Sequence, residues 1–464
     1  MCYRPLHLKA NNVYRNTNVS ACSYDVPCGH CEACRDQYRN MWKCRLWHEL
    51  DYTYNHGGIA VFLTFTYNDR HLPTLTVNGI TVPCFNHKDV KTFLNRLKIQ
   101  MYRLYGKNSY KYFIAMEYGK NTKRQHLHGL FFLSQRASYD SLGKPVWSVF
   151  VELCRTLWSE HGYMFPKYSK GKYIKDDGSD DTPTIRDVVK GSVYVSKYVT
   201  KDLSFYGIPA IDEIVHIDPT FARQFGPKHY QSNNLGISIL DTVDLSNNNS
   251  VVTFLSDGIS VPYSKTKIPV PRYIKKKLLF DNVKSERLGR DGKFLYDSFP
   301  SSLSIAVRTL LYESKVNKLI DSIKKIFSRY TSLFPSARAP RNIDFKLLAN
   351  YILYFKNVDH NVLHSFLTYY DGDINSFSDT SKVGFFYNLS KDNRFLKDNT
   401  YVTDTYHSFP HSTVFTDSLL SAYRFYLHAS SVCEEIQVTE FHKRSDSRED
   451  IRYKYFYSYD KKLC

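Results

Sequence analysis

Three short apolar runs dominate the first third of the chain. Residues 59–67, IAVFLTFTY, are apolar and rich in β-branched side chains and predict a strand. Residues 110–118, YKYFIAMEY, predict a second strand, and residues 125–133, QHLHGLFFL, a third. Between the last two lies Gly119-Lys120-Asn121-Thr122-Lys123, a turn-rich stretch, so the pair is expected to form a hairpin. A different period follows the first strand. Val90, Phe93, Leu94, Leu97, Met101 and Leu104 recur every three or four positions and predict a helix over 86–105. Asn86 is its expected N-cap, Asp89 suits its first turn, and Gly106 ends it. A second helix is expected over 148–161, with Phe150, Leu153, Leu157 and Trp158 on one face. A third is expected over about 303–327, with Leu310, Val316, Leu319, Ile320, Ile323 and Phe327. Residues 175–183, KDDGSDDTP, read as a solvated acidic loop, and DTVDLSNNNS at 241–250 as a polar boundary.

Length and charge sharpen this picture. At 464 residues the chain exceeds one ordinary domain, so we divide it into a cysteine-rich segment at 1–50, a central domain at 51–240 and a C-terminal region at 250–464. The last is basic, aromatic and without a recognisable chemical motif. Lys and Arg number 63 against 45 Asp and Glu, a net charge of +18 that favours a polyanionic partner. Aromatic residues make up 16% of the chain, a blend that suits single-stranded nucleic acid, where phosphates meet cations and bases stack on rings. MCYRPLHLKA at the start lacks an apolar signal core, and no run approaches a membrane span, so no membrane partner and an intracellular location are expected.

Candidate chemistry falls in three places. His126 and His128 are two residues apart in a predicted strand, so both point to one face. Two neutral imidazoles there can ligate a divalent metal. Glu117, across the expected hairpin, would add a carboxylate, giving three ligands with open positions that suit a Lewis acid acting on a phosphate oxygen. In KGSVYVSKYVTKDL (190–203), Tyr194, Lys197, Tyr198 and Lys201 share one face if the segment is helical, although its valines weigh against helix. The lysines would favour the phenolates and bind phosphate, making the tyrosines candidate nucleophiles. Cys28-Gly-His-Cys31-Glu-Ala-Cys34 is a double CxxC suited to a structural zinc, with Cys22, Cys44 or His30 open as fourth ligand; reduced, unliganded cysteines are the alternative.

Together these features resemble the HUH superfamily of single-strand DNA nickases. FLTFTYNDRHLP (62–73) resembles the first family motif, a core strand and loop without direct chemistry. HLH (126–128) matches the metal motif, and YVSKYVTK (194–201) the two-tyrosine motif of the replication initiators of microviruses. EYGKNTKRQHLHGLFF and PCGHCEACR are similar in particular to the gokushovirus-type initiator. The resemblance implies an α+β fold: an HUH endonuclease core of antiparallel sheet flanked by helices, RRM-like, beside the zinc-like segment and a mixed C-terminal region. It implies a Mg²⁺ or Mn²⁺ on His126, His128 and Glu117, and a catalytic role for Tyr194 and Tyr198 with Lys197 and Lys201. One tyrosine would nick origin DNA and keep its 5′ end, the free 3′-hydroxyl would prime rolling-circle synthesis by the host replication machinery in the bacterial cytoplasm, and the second tyrosine would allow the product to be religated.

Two other classes compete. A transposase or plasmid relaxase would share the catalytic residues and differ in DNA target. A zinc-stabilised, non-enzymatic DNA-binding protein for packaging or transcription would account for the charge and cysteines but leave His126, His128, Tyr194 and Tyr198 unexplained. No GxxxxGK[ST] phosphate loop occurs, which argues against a fused helicase.

Overall fold

A computed structural model describes residues 6–9, 23–27, 32–185, 224–355 and 421–440, with short breaks at 78, 120–123, 135–143, 176–178, 180, 263, 290–291, 293 and 438. The chain divides into two compact units, one of Cys34–Ser298 and one of Met1–Ala33 with Phe299–Cys464.

The first unit is built on a five-stranded antiparallel sheet. Its strands are β1 (Ile59–Tyr67), β2 (Tyr110–Tyr118), β3 (Gln125–Leu133), β4 (Gly162–Phe165) and β5 (His229–Gln231), in the spatial order β5-β2-β3-β1-β4. The expected hairpin is present, with Glu117 opposite His126 and Ala115 opposite His128. β3 is central, bonded to β2 on one side and to β1 on the other, where Thr64 faces His128 and Thr66 faces His126.

Strand alternation sorts these residues into two faces. Val61, Leu63, Phe65, Ile114, Met116, Leu127, Phe131 and Leu133 form one, packed with helices α2 (His87–Tyr105) and α3 (Val146–Trp158). Gly129 belongs to this face: a Cβ there would sit 2.5 Å from the Phe131 ring, so only glycine leaves the ring its place. The other face carries Ala60, Phe113, Ala115, Leu130 and Phe132 under Trp42, Leu46 and Leu50 of helix α1 (Glu32–Asn55).

Asn86 caps α2 by accepting from the Lys88 amide, and Gly106 closes it. Leu104, however, is 54% exposed, because the last turn runs past the sheet. α3 begins two residues earlier and ends three earlier than the spacing suggests.

Two boundaries need correction. α1 runs through residue 50, and its buried face completes the core of the sheet, so residues 1–50 are not a separate segment. Nor does a unit end at 241–250. Arg45 of α1 donates to the Leu235 carbonyl at 2.9 Å, and the Cys44 thiol donates to the Ser260 carbonyl at 3.8 Å. These contacts carry the unit on to Ser298.

In the second unit, the predicted amphipathic helix spans Ser302–Leu333, capped by Ser301, longer than expected at its C-terminal end. Its buried Val316, Ile323 and Phe327 pack with Leu348 and Ala349 of the helix Phe345–Phe355 and with Ala422 and Tyr423. No helix among the described residues is long and apolar enough to cross a membrane.

Candidate functional site

The apolar cover supplied by α1 stops at Ala115 and Leu130. Beyond it, on the same face, Thr64, Thr66, Glu117, His126 and His128 come together from three adjacent strands. The apolar half of each strand anchors it, and the polar half inherits that placement.

His128 is held on both ring nitrogens. Its Nε2 lies 2.9 Å from Glu117 Oε1, and its Nδ1 lies 3.0 Å from Thr64 Oγ1. The Phe62 ring stacks nearly parallel to it, 7° between planes and 5.8 Å between centroids. His128 and Glu117 are each 7% exposed, so the pair is fixed in a poorly hydrated place. His126 is more open. Its ring centroid lies 6.4 Å from that of His128, and a Cβ at Gly119 would stand 2.9 Å from its Nε2. Burial, with the neighbouring His128 and Arg124 adding to it, lowers the His126 pKa below the ordinary imidazole range. His126 is therefore neutral at pH 7, the form that offers a lone pair to a metal.

The donor chemistry fits a divalent cation: two imidazoles and a carboxylate sharing one face. The side-chain arrangement is another matter. His128 and Glu117 bond to each other, His126 stands aside, and among the described residues no three His, Cys, Asp or Glu side chains converge on one point. The three predicted ligands are thus neighbours rather than a closed ligand set.

Gln125 explains how the strand is entered. It is fully buried on the opposite face, and its Nε2 donates 2.7 Å bonds to the carbonyls of Pro73 and Cys84. Those two bonds tie the segment between β1 and α2 to the start of β3. Arg124, one residue earlier, donates from Nε to the Tyr67 carbonyl and pairs with Asp69.

The sequence places Thr64 only in a core strand, within a motif expected to have no direct chemistry. The structure corrects this: Thr64 touches His128. Strand parity puts it on the histidine face only once β1 is known to pair with β3.

The tyrosine segment, with Tyr194, Lys197, Tyr198 and Lys201, lies outside the described residues, as do Cys22, Cys28, His30 and Cys31. Cys34 and Cys44 are described, as unbridged buried thiols. They lie ten residues apart on α1, about 15 Å along a helix, so they do not ligate one ion together. Burial also pushes the Cys44 thiol up to about 12, keeping it protonated.

Comparison with known proteins bears on this region. Residues 60–203 match the family model of the replication-associated protein ORF2. The chain is 29% identical over 217 residues to the replication-associated protein VP4 of Bdellovibrio phage phiMH2K, a match covering 44% of this chain and 58% of that protein. It is 26% identical over 270 residues to the replication-associated protein ORF2 of Spiroplasma virus 4, covering 54% and 77% respectively. No solved structure matches. The matched segment contains β1, β2, β3 and the tyrosine pair. Over residues 60–203, then, the chain belongs with the replication-associated proteins of the ORF2 family, and the phage replication initiators it resembles in sequence are the relatives that comparison finds.

Proposed function

We propose that the protein starts rolling-circle replication by nicking single-stranded origin DNA through a tyrosine. The observation that carries this reading is the face of β3 on which His126 and His128 stand beside Glu117 and Thr64, inside the family segment that also contains Tyr194 and Tyr198. A Mg²⁺ or Mn²⁺ held by His126, His128 and Glu117 would supply Lewis-acid polarisation of the scissile phosphate.

The chain's own groups do the rest. The phenolic oxygen of one tyrosine attacks phosphorus, a new P–O bond forms, and the bond from phosphorus to the 3′ oxygen breaks. The phenolic proton is lost and the departing 3′ oxygen gains one. The 5′ end stays on the protein, and the 3′-hydroxyl is free for a host polymerase to extend. The second tyrosine cleaves the regenerated origin, and the new 3′-hydroxyl attacks the first phosphotyrosine to close the circle. Lys197 and Lys201 bind phosphate and favour the phenolates. This chemistry belongs in the cytoplasm of the bacterial host.

The test is a denaturing gel of the full chain with labelled single-stranded origin DNA, in Mn²⁺ or in EDTA. A covalent adduct is expected with Mn²⁺ alone, lost in His126→Ala, and abolished only when Tyr194 and Tyr198 are both changed to Phe. Tight binding without any adduct would overturn the nickase and leave the non-enzymatic DNA-binding protein.

A further inference from the structure

Residues 272–300 form a local concentration of charge and rings. Eight of these 29 residues are Lys or Arg against four acidic ones, and five are Phe or Tyr. That net charge per residue is several times the average of the chain. The stretch begins with the helix Arg272–Leu279, which buries Ile274, Leu278 and Leu279 and exposes Lys276 and Lys277. It continues as a two-stranded ribbon, Phe280–Leu288 paired with Phe294–Pro300.

Every described residue of the two ribbon strands is exposed except Ser285 and Asp297, which are half-buried. An isolated ribbon open on both faces is marginal in water, and exposed apolar area of this kind marks a binding surface. The two faces differ. Ser298 Oγ donates to Asn282 Oδ1, and Lys284 Nζ lies 3.5 Å from the centre of the Phe294 ring, so these side chains share one face. Alternation adds Phe280 and Tyr296 to it. Tyr296 is 65% exposed and Phe294 48%. The opposite face holds Val283, Leu295 and the ion pair of Arg287 with Asp297.

We propose that the aromatic face of this ribbon binds single-stranded DNA. Bases stack on Phe294 and Tyr296, and phosphates are met by Lys284, Lys276 and Lys277. Stacking platforms with interleaved cations are the general solution for sequence-tolerant single-strand binding. Charge decides between DNA and a second copy of this chain: pairing two such ribbons would bring like charges together, whereas a polyanion neutralises them. The proposal rests on the single-strand DNA reading above and assigns it a second contact surface outside the histidine face.

The experiment uses the full-length protein in EDTA with a labelled 20-nucleotide oligo-dT that carries no origin, read by fluorescence anisotropy. EDTA and the absence of an origin remove nicking, so failure here is separable from failure of the adduct assay. Phe294→Ala with Tyr296→Ala is expected to weaken binding about 10-fold or more. Phe294→Tyr with Tyr296→Phe is expected to bind within about twofold of wild type, since it keeps both rings. Lys284→Gln is expected to flatten the dependence of affinity on salt. Because the substituted side chains are exposed, the thermal midpoint of the alanine variant stays at the wild-type value. Unchanged oligo-dT affinity in the alanine variant would overturn the proposal. So would an unchanged affinity accompanied by loss of a wild-type dimer in sedimentation, which would assign the ribbon to self-association.

Discussion

The two faces of the central sheet are made by the same three strands and do different work. Toward α2 and α3, every inward position of β1, β2 and β3 is apolar or glycine along most of the strand length. Toward α1, the strands are apolar only as far as Ala115 and Leu130, and then switch to Thr64, Thr66, Glu117, His126 and His128. One face supplies the stability that lets the other spend part of its burial on polar groups. An imidazole bonded to a buried carboxylate adds little to folding, while phenylalanines across the sheet add several kcal/mol each.

The largest expected effect separates the faces most sharply. His128→Ala should reduce the Mn²⁺-dependent adduct by about 10³-fold or more, a loss of about 4 kcal/mol in transition-state stabilisation, with the protein still folded by circular dichroism. Phe131→Ala, on the packed face, should cost about 3–5 kcal/mol in denaturant unfolding. Whatever fraction remains folded should keep its adduct chemistry. If the histidine variant unfolded and the phenylalanine variant did not, the division between the faces would be wrong.

A smaller effect tests how His128 is held. Thr64→Val keeps shape but removes the hydroxyl at Nδ1, and is expected to weaken Mn²⁺ binding by about 10–100-fold in calorimetry, with Thr64→Ser restoring most of it. Equal affinity in Thr64→Val would reduce the threonine to packing.

The smallest effect is on pH. Burial lowers the pKa values of His48, His87 and His229 to about 4. The unfolded chain therefore binds more protons than the folded one as pH drops below about 6.5. Stability is complete above that value and declines as pH falls toward 4. His229 sits in an aromatic nest, its ring centroid 5.0 Å from that of Trp42 and 5.7 Å from that of Phe113. His229→Phe should make the acid decline of the unfolding midpoint shallower, and an identical slope would remove this histidine as a contributor.

Local pattern is enough for the elements that depend on local pattern. The bounds of β1, β2 and β3 and the Asn86 cap follow from alternation, turn residues and helix spacing alone. α1 is not legible as a helix, because its buried stripe is interrupted by polar residues that find distant partners. Arg45 is buried over the Trp42 ring and bonded to Leu235, and Glu49 accepts from Lys111 at 2.6 Å and from the Gly236 amide at 2.7 Å. Charges at such positions look solvated until the partner strand and loop are known. The same holds at the site. The hairpin partner Glu117 is 9 residues from His126 and can be inferred, whereas Thr64 is 64 residues from His128 and cannot.

The histidine strand also has a place in time. β3 is laddered on both sides, so the amides around His126 and His128 are tied into the middle of the sheet rather than its edge. Backbone of that kind opens only when much of the fold opens with it, and its amide hydrogens are among the slowest to exchange. The histidines are therefore clamped for as long as the domain stays folded. The motions that a cycle of cleavage and rejoining requires must come from what approaches this strand, not from the strand itself.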